Sequence, residues 1–208
     1  MVERHDISHP RAVRDLAHRL TDNAASLYSI NRLTGYLKSQ GHKAPKSAVS
    51  GYLEWFEDAY FLFTVKRFDA SRARRQVNPK KIYCIDHALA ASVATGILVN
   101  SGHLLENMVF TALRRITSQI FYYKTQSGKE VDFVASRADG SRMLLQVCET
   151  MGDPKTRKRE IDALNDAMTE LDLKSGTIVT LYEEETIAVD FGTIEIVPAW
   201  RYLLEAAE

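Results

Sequence analysis

Apolar residues along the chain fall into two rhythms, one of about 3.6 residues and one of about two, and the switches between them set the expected elements. Val13, Leu16, Ala17 and Leu20 lie at helical spacing behind Pro10, which suits a first helical turn. Ser29 predicts the cap of a second helix through Ile30, Leu33, Tyr36 and Leu37, closed by Gly41. After His42 to Pro45, a third helix carries Val49, Tyr52, Leu53 and Phe56. Phe61 to Val65 and Lys81 to Ile85 read as strands, with a basic loop at Arg72, Arg74, Arg75 and Lys80 between them. Asp86 to Ala90 predicts a short linking helix. A longer helix from Ser101 to Ile116 follows, with Leu104, Leu105, Met108, Val109, Ala112 and Leu113 on one face. Residues 121–150 then read as strand, Gly turn, strand, Gly turn and strand. After Gly152-Asp153-Pro154, Lys155 to Leu171 predicts an amphipathic helix, with Ile161, Leu164, Ala167, Met168 and Leu171 inward and Lys155, Arg157, Lys158 and Arg159 outward. Gly176 to Leu181 predicts a buried strand, Thr193 to Val197 another, and a last helix starts near Pro198 with Trp200, Tyr202, Leu203 and Leu204.

These elements sort into two units of an α/β (α+β) chain. Three helices and a hairpin with a basic tip is a winged-helix pattern, placed at residues 1–85. Helix, three strands, helix and strand then form a mixed sheet flanked by helices at residues 86–208. Charge supports the division. The net charge over 208 residues is zero. Met1 to Ile85 nevertheless hold 15 Lys+Arg against 8 Asp+Glu, or +7, and Asp86 to Glu208 hold 12 against 19, or −7. A basic unit suits nucleic acid; equally, the two halves could attract each other or a further domain. The two cysteines, Cys84 and Cys148, make no disulfide framework, so a cytoplasmic setting is the expectation. No apolar run reaches the ~18 residues of a membrane span, and no signal peptide opens the sequence.

In the first unit, Lys46, Ser47 and Ser50 sit near the start of the third helix, where base edges are usually read. Arg72, Arg74 and Arg75 would meet phosphates from the wing. In the second unit, Asp132 is an acid inside the apolar string Val131 to Val134. A buried carboxylate is costly unless it is paired or holds a metal. A helix bearing Glu106, a strand bearing Asp132 and a third strand is the layout of the PD-(D/E)xK nuclease core. There, carboxylates hold Mg²⁺ or Mn²⁺ and a lysine helps activate water. Here Gln146 stands for the third-strand acid and Cys148 for the lysine. Glu106, Asp132, Gln146 and Cys148 are therefore candidate catalytic positions, with Glu106 and Asp132 the candidate metal ligands. The competing reading is a relic in which Asp132 is satisfied by backbone donors or by Lys124 or Lys129. Ser127-Gly128-Lys129-Glu130 is not a Walker A loop, because position 123 is Tyr and position 130 is Glu, so no ATP site of that kind is expected. Cys148 has only His103 nearby in this unit as a candidate base, and the six histidines show no zinc spacing.

Gly102-His103-Leu104-Leu105-Glu106-Asn107, Tyr122-Tyr123-Lys124-Thr125, Ser127-Gly128-Lys129-Glu130-Val131-Asp132-Phe133-Val134 and Leu145-Gln146-Val147-Cys148 resemble the C-terminal region of certain bacterial and archaeal AAA-like ATPases. The Asp153 to Glu160 helix start is similar as well. In that family an ATPase domain comes first, then a winged helix, then a restriction-endonuclease-like domain catalogued as domain of unknown function 4143. The resemblance implies a module of a longer protein, or a short product of the same design, since the sequence begins where the ATPase domain would end. It implies a nuclease-like, catalytically impaired module acting in DNA or partner binding, with an ATPase domain as partner. An active metal-dependent endonuclease and a docking module without nucleic acid are the alternatives.

Overall fold

A computed structural model describes residues 9–86, 88 and 101–206. Among these, residues 9–65 with 78–86 form one compact unit, and residues 66–77 with 101–206 form the second.

The first unit contains helix α1 (Pro10–Thr21), a two-residue strand β1 (Leu27–Tyr28), α2 (Ile30–Ser39), α3 (Lys46–Asp58), most of β2 (Leu62–Arg67) and β3 (Lys80–Cys84). Ser29 caps α2 by accepting from the Arg32 N–H at 3.3 Å, as its sequence position predicts. Gly41 takes a φ of +82° just past the end of α2, where a side chain would be strained. β3 lies between β1 and β2, antiparallel to both. The apolar stripes of the three helices meet the sheet in one core around Leu16, Leu37, Val49, Phe56, Leu62 and Ile82. β1 is too short to leave a periodic signal, and the sequence reading passes over it.

The stretch expected as a basic loop is a helix, α4 (Arg72–Val77), and it packs with the second unit. Ser71 accepts from the Arg74 N–H at 3.3 Å, and the Arg75 N–H bonds Ser71 O at 3.1 Å. A capping serine ahead of Arg-Ala-Arg-Arg-Gln, all strong helix formers, favours a turn of helix over an open tip. The linking helix expected over Asp86 to Ala90 falls largely outside the described residues.

The second unit holds α5 (Ser101–Ile116), β4 (Ile120–Lys124), β5 (Glu130–Ser136), β6 (Arg142–Val147), α6 (Pro154–Leu171), β7 (Ser175–Thr180), β8 (Glu185–Val189), β9 (Gly192–Pro198) and α7 (Ala199–Glu205). Its mixed sheet starts with the end of β2, which runs parallel to β4 through Lys66↔Phe121 and Arg67↔Tyr122. The order continues β4-β5-β6-β7-β9-β8, antiparallel from β4 to β6, parallel through β6, β7 and β9, and antiparallel again at β8. α6 covers one face, burying Ala163, Leu164, Ala167 and Met168 against Val134, Leu144 and Ile178. α5 packs against β6 and α7, and its Phe110 stacks on Phe133 with ring centres 6.3 Å apart.

Asp153 opens α6 by accepting from the Thr156 N–H at 2.8 Å, and Pro154 fills the first turn. That bond holds the Asp153 carboxyl below its ordinary value. Asp153→Ala removes the cap and should lower the urea midpoint of the second unit. An unchanged midpoint would show that α6 is started by its packing alone.

Candidate functional site

The polar centre of the second unit lies where β5 and β6 separate. Their ladder pairs Ser136 with Arg142 and continues in register to Phe133↔Leu145. One residue further on, side chains replace the ladder. The Asp132 N–H donates to Gln146 Oε1 at 3.1 Å, and the Val147 N–H donates to Asp132 Oδ2 at 2.9 Å. β6 meanwhile stays parallel to β7 through Val147↔Val179, and the Cys148 N–H bonds Val179 O at 3.0 Å. Buried backbone N–H groups must find acceptors, and at this fork Asp132 and Gln146 each supply one to the other's strand. Both residues are 7% exposed. The expectation that they stand on adjacent strands is met, and the backbone-donor reading of Asp132 has a specific donor in Val147.

Glu160 completes the network. It is 4% exposed on α6 and accepts from Gln146 Nε2 at 2.7 Å. Arg159 donates to the same carboxylate from Nε, at 3.0 Å, and from Nη2. Burial pushes the Glu160 carboxyl up; the Arg159 guanidinium and its hydrogen bonds oppose that shift, and the Asp132 charge adds to it. The Arg159 guanidinium is in turn raised, first by its bond to Glu160 and by the Glu160 charge, and further by the Asp132 charge. The sequence reading left Arg159 among outward charges and gave Glu160 no role. A signal existed: Glu160 lies four, seven and eleven residues before Leu164, Ala167 and Leu171, in phase with the inward stripe.

Cys148 is half-buried, and its Sγ donates to Thr150 O at 3.0 Å. Burial raises its thiol, the opposite of what an activated nucleophile needs. Lys129 does not reach for Asp132. Its Nζ pairs with Asp166 at 2.9 Å and donates to Asp162 O at 3.4 Å. Glu106 is 7% exposed on α5, four residues before the Phe110 that stacks on Phe133. Among the described residues, no three His, Cys, Asp or Glu side chains are disposed to hold a metal ion, so Glu106, Asp132 and Glu160 do not form one carboxylate cluster. The donor set also fits a divalent cation poorly. Arg159 already compensates Glu160, and the Gln146 amide oxygen is given to the Asp132 N–H.

The residues expected to meet DNA divide between the units. Lys46 and Ser47 are exposed and Ser50 is half-buried, all in the first turns of α3. Pro45 offers that helix no side-chain cap. Arg74 and Arg75 lie on α4, where Arg74 Nε pairs with Asp69 at 3.1 Å and Arg75 is half-buried. The Arg72 side chain lies outside the described residues. Among the described residues, no helix is long and apolar enough to cross a membrane.

Comparison with known proteins gives similarity without a described activity. The chain is 32% identical over 213 residues to an uncharacterized protein of Methanocaldococcus jannaschii, covering 98% of this chain and 47% of that protein. It is 27% identical over 140 residues to an uncharacterized protein of Haemophilus influenzae, covering 64% of this chain and 35% of that one. The chain thus spans less than half the length of these curated relatives. No solved structure matches. Two family models match end to end, meeting between residues 99 and 101, later in the chain than the break in charge at Ile85. Residues 1–99 are similar to the family described as Domain of unknown function (DUF8612), and residues 101–202 to that described as Domain of unknown function (DUF4143).

Proposed function

We propose that this chain is a nuclease-like module that binds DNA without cutting it and works as the C-terminal end of a longer ATPase. The observation that carries the reading is the Gln146 side chain. Where a nuclease of this layout needs a metal-binding carboxylate, Gln146 bridges the Asp132 N–H and Glu160, and Arg159 neutralises the carboxylate beyond it. A metal would have to displace those bonds before it could lower the pKa of a water or stabilise charge on phosphate. The element order helix, short strand, helix, helix, hairpin in the first unit, with β1 joined to β3, supports a winged-helix assignment there. The exposed start of α3 supports nucleic acid as its partner. The ATPase context rests on the resemblance of residues 102–107, 122–134 and 145–148 given above.

The test is a titration of the full chain with duplex DNA at two salt concentrations, followed by incubation with Mg²⁺ and with Mn²⁺. Binding should fall with salt at a log-log slope of about −0.9 per phosphate neutralised. Lys46→Glu should weaken it, and the DNA should be recovered intact. Metal-dependent cutting that disappears in Asp132→Ala would establish the endonuclease reading instead. Absent or salt-indifferent binding would leave the docking module.

A further inference from the structure

We propose that the first unit carries a phosphate-binding cleft, separate from α3 and from the polar centre of the second unit, for a ligand the size of one nucleotide. A cavity of about 320 Å³ lies between α1, β1 and α2. Arg19 of α1 and Arg32 of α2 both line it, and both side chains are exposed at its mouth. Neither makes an ion pair among the described residues. Arg19 instead lies over the Tyr36 ring, 5.3 Å from its centre. That contact holds a guanidinium in place without neutralising it, so its N–H fork stays available.

Two guanidiniums without an ion pair line one cavity, and an anion seated in it gains from both positive charges. Phosphate matches the fork geometry of arginine and takes two charge-assisted hydrogen bonds from each. The remaining wall is mixed. Asn23 and Ser26 add polar groups, while Leu20 and Leu33 form an apolar floor. The turn that presents Asn23 and Ser26 contains Ala25 at a φ of +65°, held by its N–H bond to Ile82 O at 2.7 Å. A non-glycine residue kept in the left-handed region is the kind of local strain that collects at ligand sites. The volume is far above that of a bare phosphate and falls within the range of small-ligand pockets, which points to a phosphate ester with an attached sugar and base. A duplex does not enter a concavity of this size. The ester is therefore either a free mononucleotide or the phosphorylated end of a strand.

The experiment titrates the full chain, observed by NMR, with inorganic phosphate, adenosine, AMP, and a short single strand with and without a 5′-phosphate. AMP or the phosphorylated strand should shift the resonances of Arg19, Arg32 and Tyr36 in the cleft, and adenosine and the hydroxyl-ended strand should not. Arg19→Gln and Arg32→Gln should each weaken binding about tenfold or more, and the double variant should abolish it. Both side chains are exposed, so melting should be unchanged. The double Arg→Lys variant keeps charge but loses the fork, and should bind at an intermediate level. A preference for AMP identifies a free nucleotide as the source, and a preference for the phosphorylated strand identifies a strand end. Failure of every phosphate ligand at millimolar concentration overturns the proposal. So does equal binding of adenosine and AMP, or a double Arg→Gln variant that binds like the parent.

Discussion

Arg159→Ala is expected to lower the stability of the second unit by about 2–3 kcal/mol at neutral pH. The variant strands Glu160, whose side chain is 5% exposed, with Gln146 as its remaining donor among the described residues. Breaking a fully buried ion pair costs about 3–5 kcal/mol. Arg159 is itself 69% exposed, and solvent screening reduces the loss. The pH dependence follows from direction. Burial holds the Glu160 carboxyl above its unfolded value, and the guanidinium opposes that. Without Arg159 the carboxyl rises further. A carboxyl raised on folding binds its proton more tightly in the native state. The stability this gives is fully present below the unfolded pKa and is lost as pH rises through the folded one. The deficit of Arg159→Ala should therefore be full at neutral pH and shrink on acidification. Urea unfolding read by hydrogen exchange in β5 and β6 would measure it. A deficit independent of pH would mean that Arg159 contributes packing and not charge. Adding Glu160→Gln to Arg159→Ala should restore most of the loss at neutral pH, because a neutral amide needs no counter-ion.

Gly192→Ala should cost about 3 kcal/mol or more, for a reason that lies in backbone contacts alone. A β-carbon at position 192 would stand 2.0 Å from Lys174 O and 2.7 Å from Lys174 C. The obstruction is main chain at the entrance to β7, next to the pair Ser175↔Thr193 and the 3.0 Å bond from the Thr193 N–H to Lys174 O. Relief requires β7 and β9 to part. Gly176→Ala is the comparison. Its β-carbon would meet Leu164 Cδ2 at 2.7 Å, Leu164 Cγ at 2.8 Å and Met168 Sδ at 3.2 Å, all side-chain atoms that can shift more readily than main chain. About 1 kcal/mol is expected there. Equal losses in the two variants, measured by urea unfolding, would remove the distinction between backbone and side-chain obstruction.

Long periodic segments were legible from sequence. α3, α5 and α6 carry stripes too regular to mistake, and the run from 121 to 148 reads as three apolar strands separated by two Gly turns. Shorter or polar elements were not. β8, Glu185–Val189, lies at the edge of the sheet, and only Ile187 and Val189 alternate toward the core, two half-buried positions too few to mark a strand. α4 hid behind its arginines, whose charge suggested a wing while their helix propensity and Ser71 suggested otherwise. At the polar centre, Asp132 and Gln146 stood out as polar groups in apolar strands. Glu160 did not, because its neighbours Arg157, Lys158 and Arg159 made the segment look like a solvated face. A charged residue in an apolar phase is the mark of a buried polar group, and only the phase, not the local composition, reveals it.

The turn between β4 and β5 is stitched to α6: Ser127 Oγ donates to Asp166 at 2.7 Å, the Gln126 N–H to Glu170 at 2.9 Å, and Tyr123 Oη to Glu170 at 2.7 Å. These contacts span 39, 44 and 47 residues of chain. Synthesis delivers the hairpin first and its acidic anchors later. A nascent chain that has emerged only as far as β6 therefore carries a hairpin whose tip has nothing to bind. The tip gains its fastening only when a helix about forty residues downstream folds back over it, so the tip should gain hydrogen-exchange protection later than the local β4-β5-β6 ladder.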